Sequence, residues 1–176
     1  MERKMASQTL TQQRLKNLLN YDPSTGIFTR RITRGGMYAG SVVGTLSTHG
    51  YRKIMVDKVA YAAHRLAWLY VYGNFPGGEI DHINRDRCDN RIVNLRIASR
   101  KDNARNKGVS KRNTSGAKGV SWDRQTKKWR AQISVSGKSI SIGRFDKKSD
   151  AVIAYGLYAV SHFGEFAAVD KGASHE

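Results

Sequence analysis

Four polar residues in the middle of the chain have the types and spacing that phosphodiester hydrolysis requires. Asp81 and His82 directly follow an apolar strand pattern, Asn94 opens the next apolar run, and Asn103 falls in a predicted helix. A neutral imidazole can take a proton from water while a hard divalent cation, held by carboxylate and amide oxygens, stabilises the leaving oxygen. Mg²⁺ keeps several waters, so one Asp and one Asn are enough to seat it. Covalent catalysis is not needed.

The pattern around these residues predicts the elements that position them. Apolar residues run as a strand up to His82, and a long polar loop follows. A second short strand is expected at Leu95–Ala98, and a helix opens near Ser99. A strand, strand and helix in this order can bring the four polar residues together.

The segment before this unit predicts a small mixed structure. Leucines at helical spacing over residues 9–19 predict a first helix, with Thr9 or Thr11 as its N-cap. Runs of β-branched and aromatic residues between glycines predict several short antiparallel strands. A buried helix is expected from Ala63, and Gly73 ends it.

The composition indicates a folded protein with a polyanionic partner. The 176 residues carry 31 Lys and Arg against 14 Asp and Glu, a formal charge of +17, and 39% of them are hydrophobic. Nucleic acid is the first expectation for the partner, with a ribosome-like or membrane-surface protein as the alternative. The single cysteine, Cys88, excludes internal disulfides and a CxxC zinc site, so no zinc is expected. Without a long apolar stretch or signal core, we expect a soluble intracellular protein that does not bind membrane.

The central segment resembles a known nuclease motif. The run IDHINRDRCDNRIVNLRIASRKDNARN resembles the HNH motif of phage and intron-encoded homing endonucleases. The preceding LTQQRLKNLLNYDPSTGIFTRR and HRLAWLYVYGNFP also resemble the amino-terminal part of that family, so the likeness covers nearly all of the first 107 residues. It implies a ββα-metal fold with flanking short strands and helices. It also implies Mg²⁺ as cofactor, with Mn²⁺ able to substitute.

The resemblance assigns a role to each of the four residues. It makes His82 the general base and Asp81 a metal ligand. Asn94 matches the middle Asn, which braces the loop and orients the His. Asn103 matches the last motif position, where many family members have His, and Asn106 in the same run leaves the choice of helix ligand open.

Each of these residues also has an alternative interpretation in which its role is purely structural. The DNR and NLR sequences could be Asn-capped turns and His82 a histidine satisfied in a loop. His64 could lie near the site, but the pattern favours a structural role at a helix start. Five arginines are expected to contact phosphates, although each could equally be a solvated surface charge: Arg65, Arg85, Arg87, Arg91 and Arg96.

The segment 116–164 resembles the APETALA-type, or ethylene-response-factor, DNA-binding domain through its KGV, KWRAQI, SIGRFD and AVIAYGLYA pieces. The resemblance implies a three-stranded antiparallel sheet, packed on one helix, that lies in the DNA major groove. Arg130 and Gln132 are the best base-reading candidates, and alternation places Trp122 and Trp129 on the core side. The alternative is a protein-interaction sheet. The expected DNA-facing residues are Lys118, Ser121, Lys128, Arg130, Gln132, Ser134, Ser139, Ser141 and Arg144.

Together these features predict an α+β protein with a nuclease domain at residues 1–107, a linker at 108–115 and a DNA-binding domain at 116–176. The expected activity is divalent-metal-dependent hydrolysis of duplex DNA, with the second domain selecting the site. The rival is a non-catalytic DNA-binding regulator with a degenerate nuclease module. An RNA-binding protein is a third reading. One motif per chain leaves monomer and homodimer, and nicking and double-strand cleavage, open. A phage-encoded protein would act in the bacterial host cytoplasm.

Overall fold

The computed structural model describes residues 10–110 and 112–168. It is a mixed α and β structure that divides along the chain into two compact units, the first ending at Ala98 and the second beginning at Ser99. Thr9, one of the two predicted N-caps, lies outside the described residues. Among the described residues, no helix has the length and apolar character needed to span a membrane.

The first unit contains two helices and seven strands within its described part. They are α1 (Gln12–Leu18), β1 (Leu19–Asp22), β2 (Ile27–Arg30), β3 (Thr45–Leu46), β4 (Arg52–Val56), β5 (Val59–Ala62), α2 (Ala63–Tyr72), β6 (Glu79–His82) and β7 (Leu95–Ala98). β1 with β2, and β6 with β7, form antiparallel hairpins, while β3, β4 and β5 form an antiparallel sheet in chain order.

Local signals explain where the helices of this unit begin and end. The Thr11 side chain accepts a hydrogen bond from the backbone N–H of Arg14 and caps α1. α2 ends at Gly73, whose φ of 85° is in the left-handed region. The core between the elements includes fully buried side chains from α1, β2, β4 and α2: Leu15, Phe28, Ile54, Leu66 and Leu69.

The second unit contains α3 (Arg100–Asn106), β8 (Val120–Asp123), β9 (Lys128–Val135), β10 (Lys138–Phe145) and α4 (Lys148–Phe163). The strands form an antiparallel sheet with β9 in the centre. Alternation along β9 buries Ala131 and Ile133 against Ala151, Tyr155 and Ala159 of α4. Alanine leaves room for this close approach of helix to sheet.

The division between the units differs from the predicted one after residue 107, because α3 is part of the second unit. Lys118 Nζ donates hydrogen bonds to the carbonyl oxygens of Arg105 and Lys107 at 2.5 and 2.6 Å. The Arg105 guanidinium lies 4.6 Å from the ring centre of Phe163. These contacts hold α3 to the segment before β8 and to the end of α4. The functional boundaries 1–107, 108–115 and 116–176 remain a proposal.

Two side chains of the sheet differ from simple alternation. The expected core position of Trp122 is wrong: the side chain is 47% exposed because β8 is an edge strand, and its ring meets Trp129 only edge-on, at 5.2 Å between ring centres. In β10 a bulge between Ser141 and Gly143 shifts the register. The extra residue brings Arg144 opposite Arg130, on the same face as Ser141.

Candidate active site

The β6–β7 hairpin carries the two residues at the centre of the candidate site. Asp81 and His82 are the last two residues of β6, paired with Arg96 and Leu95 of β7. Both are buried, with 9% and 4% of their surface exposed. Nε and Nη2 of Arg96 donate to Oδ2 of Asp81 at 2.9 and 2.7 Å. The guanidinium therefore compensates the buried carboxylate and fixes its orientation.

Asn94 braces the loop that joins the two strands. Its Oδ1 accepts from the backbone N–H of Asn84 at 2.9 Å, and its Nδ2 donates to the carbonyl oxygen of Asp89 at 2.8 Å. The backbone carbonyl of Asn94 also accepts from Ile83 at 2.9 Å. Nε and Nη2 of Arg91 donate hydrogen bonds to Oδ1 and Oδ2 of Asp89 at 2.8 and 2.6 Å. These bonds lower the pKa of the Asp89 carboxyl to about 2. The loop is thus tied at its start, middle and end.

The residue that contacts His82 through this loop is Asn90, which the sequence reasoning missed. Asn90 is 1% exposed, and its Oδ1 lies 3.4 Å from Nε2 of His82. Its Nδ2 donates to the carbonyl oxygen of Cys88 at 3.0 Å, which orients the amide with its oxygen toward the imidazole. An amide oxygen accepts, so this contact favours the tautomer of His82 with the proton on Nε2 and the lone pair on Nδ1. The DNR sequence contains this residue, but in the sequence alone its pattern is also that of an Asn-capped turn.

The β1–β2 hairpin contacts the backbone of the loop at Asn90 and Arg91. The Tyr21 hydroxyl donates to the carbonyl oxygen of Asn90 at 2.8 Å, and burial raises the pKa of Tyr21 to about 12. A Cβ on Gly26 would lie 2.5 Å from the backbone N of Arg91 and 2.6 Å from the backbone C of Asn90. The turn of the hairpin and the loop therefore touch backbone to backbone.

Two aromatic rings, those of His64 and Tyr51, border His82 on the other side of the site. The His64 ring lies edge-on to His82, with 5.1 Å between ring centres and 83° between planes. Tyr51 lies 5.3 Å from His64 and 6.0 Å from His82. The Arg87 guanidinium covers Tyr51 at 5.0 Å and donates to the carbonyl oxygen of His49 at 2.7 Å.

Both histidines are neutral at pH 7. Burial, with a smaller contribution from the nearby His82, lowers the pKa of His64 to about 4. Burial also lowers the pKa of His82, and the contacts with Asn90 and Asp81 oppose this shift without reversing it. Within the described part of the chain, Nδ1 of His64 is buried and has no hydrogen-bond partner. A neutral His82 is able to accept a proton, as a general base must.

The lowered pKa of His64 makes stability depend on pH. A group that binds protons more weakly in the folded state supports folding fully above its unfolded pKa of 6.5, and this support is lost as the pH falls toward about 4. For His64→Phe, the difference in free energy of unfolding from the parent is expected to be constant above pH 7. It should then shift in favour of the variant by roughly 1.4 kcal/mol per pH unit below 6.5. Urea unfolding at several pH values measures this, and a flat difference would contradict it.

The structure brings three of the four predicted residues into one unit. Asp81, His82 and Asn94 belong to the β6–β7 hairpin and its loop. Asn103 is on α3 in the second unit, which opens with a capping box between Ser99 and Asp102. Asn106, the alternative helix ligand, is buried within its unit. The choice between Asn103 and Asn106 remains a prediction.

The predicted phosphate-binding arginines all lie in the first unit, and four have defined contacts to their own chain. Besides Arg87, Arg91 and Arg96, Arg65 donates to the carbonyl oxygen of Gly78 at 3.3 Å. Arg85 adopts a φ of 68° in the loop. The guanidinium of Arg91 remains exposed beyond its ion pair. Their role toward phosphate stays a prediction.

The predicted DNA-facing residues of the second unit lie in rows across its sheet. Ser121 and Arg144 flank Arg130, while Gln132 pairs with Ser141 and Ser134 with Ser139. Arg144 also binds Asp123 at 3.0 Å, and Lys128 binds Asp146 at 3.2 Å. Lys118 differs from this set, because its amine is directed to the backbone of α3. The face opposite the core therefore carries one row with two arginines and a serine, followed by rows of uncharged polar side chains.

The segment that contains the candidate site is similar to known HNH endonucleases. Residues 61–105 match the HNH endonuclease family, and this range contains all four predicted catalytic and metal-binding residues. The chain is 38% identical to Protein 3.8 of Escherichia phage T7 over 76 residues, which are 43% of this chain and 63% of that protein. It is 31% identical over 128 residues to an uncharacterized HNH endonuclease of Acanthamoeba polyphaga mimivirus, covering 72% of this chain and 65% of the relative.

These similarities have clear limits in extent. The chain spans less than two thirds of the length of either relative. A solved structure described as DNA binding and cleavage by the HNH homing endonuclease I-HmuI aligns with 49% of each chain, at 22% identity and a TM-score of 0.39. The nuclease resemblance is thus supported over 61–105. The family match ends at residue 105 and offers no support for the APETALA-type resemblance of the second unit.

Proposed function

We propose that the protein is a divalent-metal-dependent endonuclease that hydrolyses phosphodiester bonds of duplex DNA. The observation that carries the proposal is the neutral, buried His82, whose imidazole is oriented by Asn90 and which directly follows a carboxylate in β6. The similarity of residues 61–105 to HNH endonucleases supports the same reading.

The residues divide the work of the reaction. His82 takes a proton from the attacking water through Nδ1, because Asn90 engages Nε2. Asn94 and Asn90 hold the loop so that this nitrogen keeps one direction. Arg96 orients the Asp81 carboxylate through two hydrogen bonds to Oδ2. His82 is regenerated when it returns the proton to solvent.

Asp81 and Asn103 are the proposed metal ligands. Carboxylate and amide oxygens are hard donors, and among the described residues no three His, Cys, Asp or Glu side chains cluster as a metal site. This donor set fits Mg²⁺ or Mn²⁺, which keep waters and accept phosphate oxygens, better than zinc, which takes three or four side chains. When bound, the cation would stabilise the charge that develops on the leaving oxygen.

A cleavage assay tests the function directly. Purified full-length protein is incubated with long phage or bacterial DNA in Mg²⁺, in Mn²⁺ and with a chelator, and the ends of the products are mapped. We expect cleavage in either metal, none with chelator, and 5′-phosphate ends. Selective DNA binding without cleavage in any divalent metal would favour the non-catalytic regulator. Preferential cleavage or binding of RNA would contradict the choice of substrate.

We further propose that the sheet of the second unit binds the duplex and biases the site of cleavage. Arg130 is central to the polar rows of that sheet, and a two-stranded or three-stranded ribbon fits the major groove. The chain's charge of +17 supplies the general attraction for DNA.

Arg130→Ala is expected to weaken DNA binding by roughly 1–3 kcal/mol and to reduce the slope of log affinity against log salt by about one. Arg130→Lys is the matched control, because it keeps the charge but loses the planar fork that pairs with guanine. The lysine variant should keep most of the salt dependence and lose selectivity among sites. Fluorescence anisotropy against salt measures both. If Arg130→Ala instead lowers the single-turnover rate at saturating DNA, the proposed separation of binding from chemistry is wrong.

A further inference from the structure

We propose that His64 is a positioning residue that holds the His82 imidazole in its reactive orientation. The inference rests on the proposed function and names a residue for which the sequence favoured a purely structural role. It is carried by the ring geometry in the first unit.

The His82 ring is bounded on two sides by different kinds of contact. Asn90 faces Nε2 at 3.4 Å, and the His64 ring stands edge-on to His82, at 5.1 Å between centres. Tyr51 touches both histidines and closes the corner between them. Asn90 restrains the ring at Nε2, and the packing against His64 restrains it from a second direction.

The elements that carry His64 are rigid. It lies in the first turn of α2, and Leu66, Ala67 and Leu69 of the same helix are buried in the core. Tyr51 directly precedes β4 and is covered by Arg87, which is itself bound to the backbone of His49. The His64 ring therefore has little freedom to move away from His82.

The ring of His64, and not its buried nitrogen, supplies the proposed restraint on His82. Nδ1 has no partner in the described part of the chain, and a buried unpaired polar atom lowers stability. A phenylalanine would pack a ring of similar shape without that loss. The proposed restraint therefore needs a ring at this position and not its nitrogen atoms, which makes His64→Phe the conservative variant.

A double-mutant cycle tests whether His64 acts through His82. His64→Ala is expected to lower the single-turnover cleavage rate at saturating DNA by about a hundredfold, as a misplaced reacting group does. Its affinity for DNA should stay within about twofold of the parent, because His64 is uncharged and packs against Tyr51 and His82. In a His82→Ala background the same change should produce no further loss. Exposed His162 provides the control variant, His162→Ala, with parental rates expected.

The conservative variant separates packing from chemistry. His64→Phe should restore the rate to within several-fold of the parent, since it keeps the ring that borders His82. A folded, DNA-binding His64→Phe that is as slow as His64→Ala would mean that the imidazole itself takes part, and would overturn the positioning role. Equal losses from His64→Ala with and without His82 would overturn it as well. Thermal melting of each variant excludes unfolding as the cause.

A spectroscopic readout keeps this inference separate from the proposed function. If the parent does not cleave DNA, the proposed function fails, but the ring contact is still measurable by NMR. The carbon-bound protons of the His82 ring lie beside two other rings and should have shifts displaced by ring currents. These shifts should move toward ordinary values and broaden in His64→Ala, but not in His162→Ala. Unchanged His82 signals would overturn the positioning role whether or not the protein is a nuclease.

Discussion

Replacing His82 with alanine is expected to lower the single-turnover rate of DNA cleavage by roughly 10²–10⁴-fold, the usual contribution of a general base. Nδ1 of this residue is the proposed proton acceptor, and Asn90 holds the opposite nitrogen. DNA affinity should change little, because His82 is 4% exposed and the cationic surface is untouched. The rate is measured at saturating DNA with Mg²⁺, so that binding does not limit it.

Two companion variants define what the result means. His82→Gln fills more of the buried site and still lacks a base of suitable pKa, so it should be nearly as slow as His82→Ala. His162→Ala removes an exposed histidine of α4 and should cleave at the parental rate. If His82→Ala cleaves as well as the parent while remaining folded, His82 is not the base.

Gly26→Ala is expected to destabilise the first unit by about 3 kcal/mol or more, from left-handed strain and from a steric clash. Gly26 has a φ of 73°, and the added Cβ would lie 2.5 Å from the backbone of Arg91 and 2.6 Å from that of Asn90. Backbone atoms cannot rotate away as a side chain does, so the loop must shift as a whole. Because that loop carries Asn90, the folded fraction should also cleave DNA more slowly. Urea unfolding and the single-turnover rate measure the two effects.

Gly36→Ala is the matched control for this substitution. Its φ of 76° is almost the same, but nothing lies within 4 Å of its Cβ position. It therefore has the conformational strain alone, about 1–2 kcal/mol. The difference between the two variants isolates the clash with the loop. Equal losses of stability would show that the hairpin and the loop do not press on each other.

The local frame of the site was predictable because its signals are local. The apolar run before His82, the second strand at Leu95–Ala98 and the cap at Ser99 each depend on neighbours in sequence, and β6, β7 and α3 lie where these signals predict them. Period-two alternation likewise anticipated the buried face of β9.

The contacts that orient His82 could not be predicted, because they depend on how the chain folds and not on local sequence signals. Asn90 and Asn94 both belong to polar turn sequences, and only the folded loop shows that Asn90 reaches His82 while Asn94 ties the backbone. His64 has the spacing of an ordinary helix-start residue, and its position beside His82 depends on how α2 packs. A sequence pattern predicts which face of a helix or strand a side chain lies on. Which residue packs against that side chain depends on the tertiary structure.

Arginine partners show the same limit. The basic composition predicted that arginine side chains contact DNA. In the structure the Arg96 side chain pairs with Asp81, and the Arg87 guanidinium lies over the Tyr51 ring. Arg144 reaches the polar face of the sheet only because of a bulge that strict alternation does not anticipate. The charge count therefore indicates a class of partner, but it does not indicate which residue each arginine contacts.

The hydrogen bond from Tyr21 to Asn90 has a consequence for the order of folding. It joins residues 69 positions apart, whereas the β6–β7 hairpin needs only residues 83–94 to close. Closing a long segment costs more chain entropy and is slower than forming a local hairpin. The hairpin with its histidine can therefore form early, while the support beneath Asn90 arrives only when the first hairpin docks. In a partly folded chain the β6–β7 hairpin would then contain His82 while Asn90 still lacks the hydrogen bond from Tyr21. The full set of contacts around His82 would form only when the β1–β2 hairpin docks.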